Sequence, residues 1–151
     1  MDDLISLDLN AAANAGAWME VVHPVTAMPI GLRIKLVGTD SDRFRAMIEQ
    51  QQRERLEAVR AQQPMTADPA AQQRERELQT LAACTVAWEG YDAKVQPAVQ
   101  AGAGDPHLLM GGEKLSCTPE AVRKVYSHPG MRWLRDQAEN FVGTRANFLR
   151  P

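Results

Sequence analysis

Cys117 holds the position most suggestive of chemistry. It stands just before Thr118-Pro119-Glu120, a helix start, and a thiol beside a helix N-terminus can be activated as a thiolate. A cysteine nucleophile also needs a base, for which His107 or His128 are the candidates, and a group that stabilises an oxyanion. No glycine-rich nucleophile elbow or oxyanion signature accompanies it, so catalysis at Cys117 is disfavoured. Cys84 lies in an apolar stripe beside Ala83 and Val86, the setting of an inert buried thiol. The two cysteines form no CxxC and no spaced metal set, and both read as buried free thiols of a reducing compartment.

Metal binding needs three or four converging ligands. His23, His107 and His128 are far apart, and each neighbours a proline, which suits surface or capping roles better. The chain has no GxxxxGK[ST], no GxGxxG after a strand and no HExxH. Gly102-Ala103-Gly104 is a glycine cluster in loop composition and nothing more. We assign no catalytic, cofactor-binding or metal-ligating residue, and expect a protein that is not an enzyme.

The elements that hold these residues follow from periodicity. With 151 residues, 44% of them hydrophobic and 24% charged, the chain can bury a core without disulfides or metals, as one expected domain over 1–151. Aromatics are 5%, so that core is mostly aliphatic. Residues 1–38 hold a leader and a β-hairpin. Leu4, Ile5, Leu7 and Leu9 precede Ala11-Ala12-Ala13, which fits either a short helix or a strand and turn. Trp18-Met19-Glu20-Val21-Val22 is β-rich and closed by His23-Pro24. In Leu32-Arg33-Ile34-Lys35-Leu36-Val37 the alternation puts Leu32, Ile34 and Leu36 on one face, with Arg33 and Lys35 on the other.

Residues 40–88 read as a central helical hairpin. Gly38-Thr39-Asp40-Ser41 caps a helix from about Asp42 to Gln63, and Asp68-Pro69 starts a second that runs to about Ala87, with Pro64 between. Phe44, Met47 and Ile48 form the first helix's stripe, which thins through Glu49–Arg55 until Leu56 and Val59. The second starts polar and turns apolar at Leu78, Leu81 and Ala82. Each is polar near Pro64, so the base sits on the sheet while the tip projects. The Arg/Glu/Gln runs lack the a/d seam of a coiled coil. Phe44, Leu78 and Leu81 close the chain's own core, and Trp18, Trp88 and Trp133 read as core anchors.

Residues 89–117 are loop-rich, with room for a short strand over Val95–Val99 and a turn at Gly111-Gly112. Residues 118–151 carry C-terminal helices and a tail. Thr118-Pro119-Glu120 starts one helix, with Val122, Val125 and Tyr126 as its stripe. Ser127-His128-Pro129 starts another, with Met131, Leu134, Ala138, Phe141 and Val142 inward and Gly143 as its cap. The fold class is therefore α+β: an N-terminal antiparallel β-hairpin or small sheet packed with a central helical hairpin and C-terminal helices.

The net charge of −2 argues against a nucleic-acid partner, since phosphate contacts require a basic excess. No apolar run approaches the ~20 residues that span a bilayer, and the start of the chain lacks a basic and an apolar signal region. Neither nucleic acid nor membrane is expected as a partner.

The order of several segments resembles the tail assembly chaperones of siphophages and their prophages. Those segments are Gly16-Ala17-Trp18-Met19 through His23-Pro24-Val25-Thr26, then Leu32–Val37 with Gly38-Thr39-Asp40-Ser41. They continue with Leu81-Ala82-Ala83-Cys84-Thr85-Val86-Ala87-Trp88-Glu89, Thr118-Pro119-Glu120, and Phe141-Val142-Gly143-Thr144-Arg145-Ala146-Asn147-Phe148. The resemblance spans nearly the whole chain and rests on order, not on one diagnostic motif. Residues 91–110 depart from it, being longer than the tight turn expected there.

The resemblance implies a chaperone that binds the tape measure protein, keeps it soluble and helps recruit tail tube subunits. It implies action in the bacterial host cytoplasm, absence from the mature virion, and room for self-association. No cofactor is implied. The candidate contact residues are Met47, Leu56, Val59, Phe148 and Leu149. A structural minor tail or head–tail joining protein is the alternative, and presence in purified particles separates the two.

Overall fold

The computed structural model describes residues 3–62, 68–95 and 99–149. It is an α+β fold in which helices pack on one face of a small antiparallel sheet. A 3-10 turn at Leu4–Leu7 leads into α1 (Leu9–Ala15), so the open choice for the leader resolves as helix. The expected hairpin follows as β1 (Ala17–Val22) and β2 (Pro29–Leu36), paired Ala17 with Leu36 and Met19 with Ile34. Ile34 and Leu36 are fully buried on the face that the alternation assigned to them.

Helix α2 (Asp42–Arg60) starts where the Ser41 hydroxyl accepts from the Phe44 N–H. Helix α3 (Pro69–Cys84) starts where the Asp68 carboxylate accepts from the Ala71 N–H, with Pro69 in its first turn. The break at Pro64 lies outside the described residues.

Helix α3 ends three residues before the expected Ala87. Thr85–Gly90 is a strand, β3, placed beside β2 with Ile34 opposite Trp88 and Arg33 opposite Glu89. The free edge of β2 decides this. The Val37 N–H donates to the Cys84 carbonyl at 2.9 Å, and the β-branched Thr85 and Val86 suit a strand better than a last helical turn. The Thr85 hydroxyl bonds the Leu81 carbonyl and the Tyr126 hydroxyl, which fastens the switch point.

The stretch read as loop-rich contains a second hairpin, β4 (His107–Met110) and β5 (Glu113–Ser116). Its two-residue turn, Gly111-Gly112, has φ of 57° and 79°. Those are the positive values that a hairpin turn matching strand twist requires. The middle of the strand considered over Val95–Val99, residues 96–98, lies outside the described residues.

Helix α4 (Pro119–Ser127) is capped by Thr118 and buries Val122, Val125 and Tyr126. The next helix starts later than expected. Pro129–Met131 is a 3-10 turn capped by His128, and α5 then runs Arg132–Gly143 with Thr144, not Gly143, at its C-cap. Leu134, Ala138 and Val142 face inward. The Gln137 amide occupies the edge of β1, accepting from the Val22 N–H and donating to the Val22 carbonyl at 2.8 Å. Leu78, Leu81, Cys84 and Trp88 complete the core between sheet and helices.

Candidate functional site

The two cysteines are buried or half-buried, and each of the three histidines hydrogen-bonds within its own turn. The Cys84 thiol is wholly buried, and burial pushes its pKa up to about 12. Burial also raises the half-buried Cys117 thiol above its ordinary value, the opposite of activation. His107 Nδ1 lies 2.6 Å from an Asp105 carboxylate oxygen, and His128 Nδ1 accepts from the Gly130 N–H. No hydrogen bond joins either ring to Cys117 among the described residues. His23 Nδ1 accepts from the Val25 and Thr26 N–H groups and so caps the first hairpin's turn. Among the described residues, no three His, Cys, Asp or Glu side chains cluster as a metal site would require.

A buried ion pair sits on the sheet face opposite the helices. Arg33 Nη1 donates to Glu89 at 3.2 Å and to the Val99 carbonyl at 2.7 Å, with the Tyr91 ring 4.1 Å from its guanidinium carbon. The Glu89 carboxylate also accepts from the Gly102 and Gly104 N–H groups. Burial alone would raise the Glu89 pKa, but these backbone donors and the guanidinium outweigh it and hold the pKa below the usual carboxylate value. Among the described residues no buried side-chain nitrogen or oxygen lacks a hydrogen-bond partner, and the network ties Val99, Gly102 and Gly104 to the sheet.

A groove of about 410 Å³ lies open between α2, α3 and the end of α5. Its floor is apolar: Phe44 and Ile48 from α2, Leu81 and Cys84 from α3, Val142 from α5. One bolt joins the two long helices across it. Gln51 Nε2 donates to the Arg76 carbonyl at 3.0 Å and to the Thr80 hydroxyl at 3.2 Å. The rim carries Arg55, Arg76, Glu77 and Glu139. Arg135 lies 3.2 Å from Glu139 and 3.9 Å from Glu77, which partly neutralises both. Arg55 and Arg76 have no ion-pair partner among the described residues.

The candidate contact residues divide. Leu56 and Val59, 58% and 74% exposed, follow the groove residues Gln52 and Arg55 at i+4. They therefore prolong the groove face of α2 by one turn towards the tip. Met47 faces a separate depression of about 490 Å³ beside Cys117 and Pro119. Phe148 packs edge-on to Phe141, with ring centroids 5.6 Å apart. Its ring also covers Gly38, where an added Cβ would come within 2.9 Å of it. Leu149 is half-buried in the same tail.

The periodicity marked Phe44, Ile48 and Leu81 without showing that they line one cleft. Nothing in the run Gln50-Gln51-Gln52 distinguishes the bolt at Gln51, because the three residue types are the same.

No family model, curated protein or solved structure matches the chain. No helix among the described residues is long and apolar enough to cross a membrane.

Proposed function

We propose that this chain is a non-catalytic binding protein that covers an apolar helical segment of a partner in the α2–α3–α5 groove. The observation that carries the reading is an open cleft with an apolar floor, extended by the exposed Leu56 and Val59. An amphipathic helix buries its apolar stripe in such a groove through anchors at i, i+3 and i+4 spacing. Exposed apolar surface bordered by charge is characteristic of docking sites.

With the segment order described above, the reading sharpens to a tail assembly chaperone. The partner is then the tape measure protein, a long helical protein that this chain keeps soluble. Tail tube subunits are recruited to that complex in the host cytoplasm, and the chaperone leaves before the virion is complete. Co-expression with the tape measure and tail tube proteins encoded beside it tests this. The expected outcome is a tape measure that is soluble only in this chain's company. Stoichiometric presence in purified particles, with neither protein bound, would replace the reading with a structural virion role.

A further inference from the structure

The Leu4–Leu7 turn exposes apolar side chains that the chain's own groove does not take. Leu4 is 79% exposed, Ile5 78% and Leu7 49%. Carboxylates bracket them. Asp3 accepts from the Ile5 N–H at 3.0 Å, and Asp8 accepts from the Ala11 N–H at 3.0 Å as the cap of α1. The turn is therefore a small, preformed aliphatic knob flanked by negative charge.

The groove is its counterpart. It offers an aliphatic and aromatic floor at Phe44, Ile48, Leu81 and Val142. Two arginines at its mouth, Arg55 and Arg76, lack acidic partners, while the rim's glutamates already face Arg135. Apolar surface and charge both match, and a match of that kind selects partner and register more than raw affinity.

We propose that the Leu4–Leu7 turn of one copy docks in the α2–α3–α5 groove of a second copy. Donor and acceptor are different surfaces, so the contact is heterologous. Copies add head to tail, in a ring if the rotation closes and in an open array if it does not. A client segment that takes the groove displaces the turn, so self-assembly and client binding exclude one another. The proposal rests on the groove being a docking site and is independent of the client's identity.

Two variants of the full chain separate the surfaces. Leu4→Ser with Ile5→Ser disables the turn and keeps the groove; Arg55→Glu with Arg76→Glu disables the groove mouth and keeps the turn. Thermal melting first establishes that both are folded. In sedimentation velocity the unaltered chain should gain mass with concentration and lose it with added salt. Each variant alone should remain monomeric, its self-affinity lowered at least about tenfold by lost apolar cover or like-charge contact. Mixed together, one intact turn meets one intact groove, and the expected product is a one-to-one dimer that grows no further.

A monomeric unaltered chain at all attainable concentrations overturns the proposal. So does self-association that survives in either variant, or a mixture that does not pair. The turn variant retains its groove and should still hold the client. If it fails there while the assembly results stand, the client reading falls and the self-docking does not.

Discussion

Glu89 keeps its charge in a place from which water is nearly absent. Backbone N–H groups of Gly102 and Gly104 and the Arg33 guanidinium point at its carboxylate. Because its folded pKa is depressed, its contribution to stability is complete above the unfolded-state value, near 4.5, and fades as pH falls through the lower folded value. Melting temperature measured against pH should therefore drop below about pH 4.5, and the drop should be smaller in Glu89→Gln, where Asp105 still contributes. At neutral pH the substitution leaves Arg33 with a weakened partner and should cost about 3 kcal/mol by denaturant titration. The thiols yield a second prediction. With both pKa values raised by burial, a thiol reagent should modify Cys84 and Cys117 slowly in the native protein and rapidly once it is unfolded. Alternation put Arg33 on the face away from the helices, which is where it lies. Its burial was not legible, because what covers it is Tyr91 and a loop tens of residues away.

Element by element, local signals located helix starts well and helix ends poorly. Ser41, Asp68 and Thr118 cap as their residue types require, since a cap is a contact within one turn. Where α3 stops is a tertiary question, settled by the unpaired edge of β2. The β4–β5 hairpin had a usable local signal in Gly111-Gly112, but strands of four residues are too short for a clear alternation. The tail from Thr144 shows the opposite balance. Phe148 was a candidate contact residue, and its ring spans Gly38 and Phe141. Phe148→Ala should lower stability by roughly 2 kcal/mol, less than a fully buried phenylalanine because the site is half-buried. The check is a denaturant melt on the isolated chain, where a role in partner contact alone would leave the midpoint unmoved.

Across the whole molecule, order should be graded from the sheet outward along the two long helices. Leu78, Leu81 and Cys84 sit in the core, whereas Leu56 and Val59 at the far end of α2 touch little. Amides from residue 52 to 60 should exchange with solvent at least about tenfold faster than those of Leu78–Cys84. Uniformly strong protection along both helices would contradict that gradient. The α+β class and the helix pair were legible in the sequence because each is written in local periodicity. The groove was not, since it exists only where α5 closes the gap between α2 and α3.

The measurement that bears most directly on the groove is co-purification of the tape measure protein with the unaltered chain and with Leu56→Asp combined with Val59→Asp. Both side chains are exposed in the free protein, so the double variant should melt within about 1 kcal/mol of the unaltered chain. The account predicts that the unaltered chain holds the tape measure in solution and that the folded variant releases it, at least about tenfold weaker in binding. Equal retention by both would contradict the groove as the site of contact.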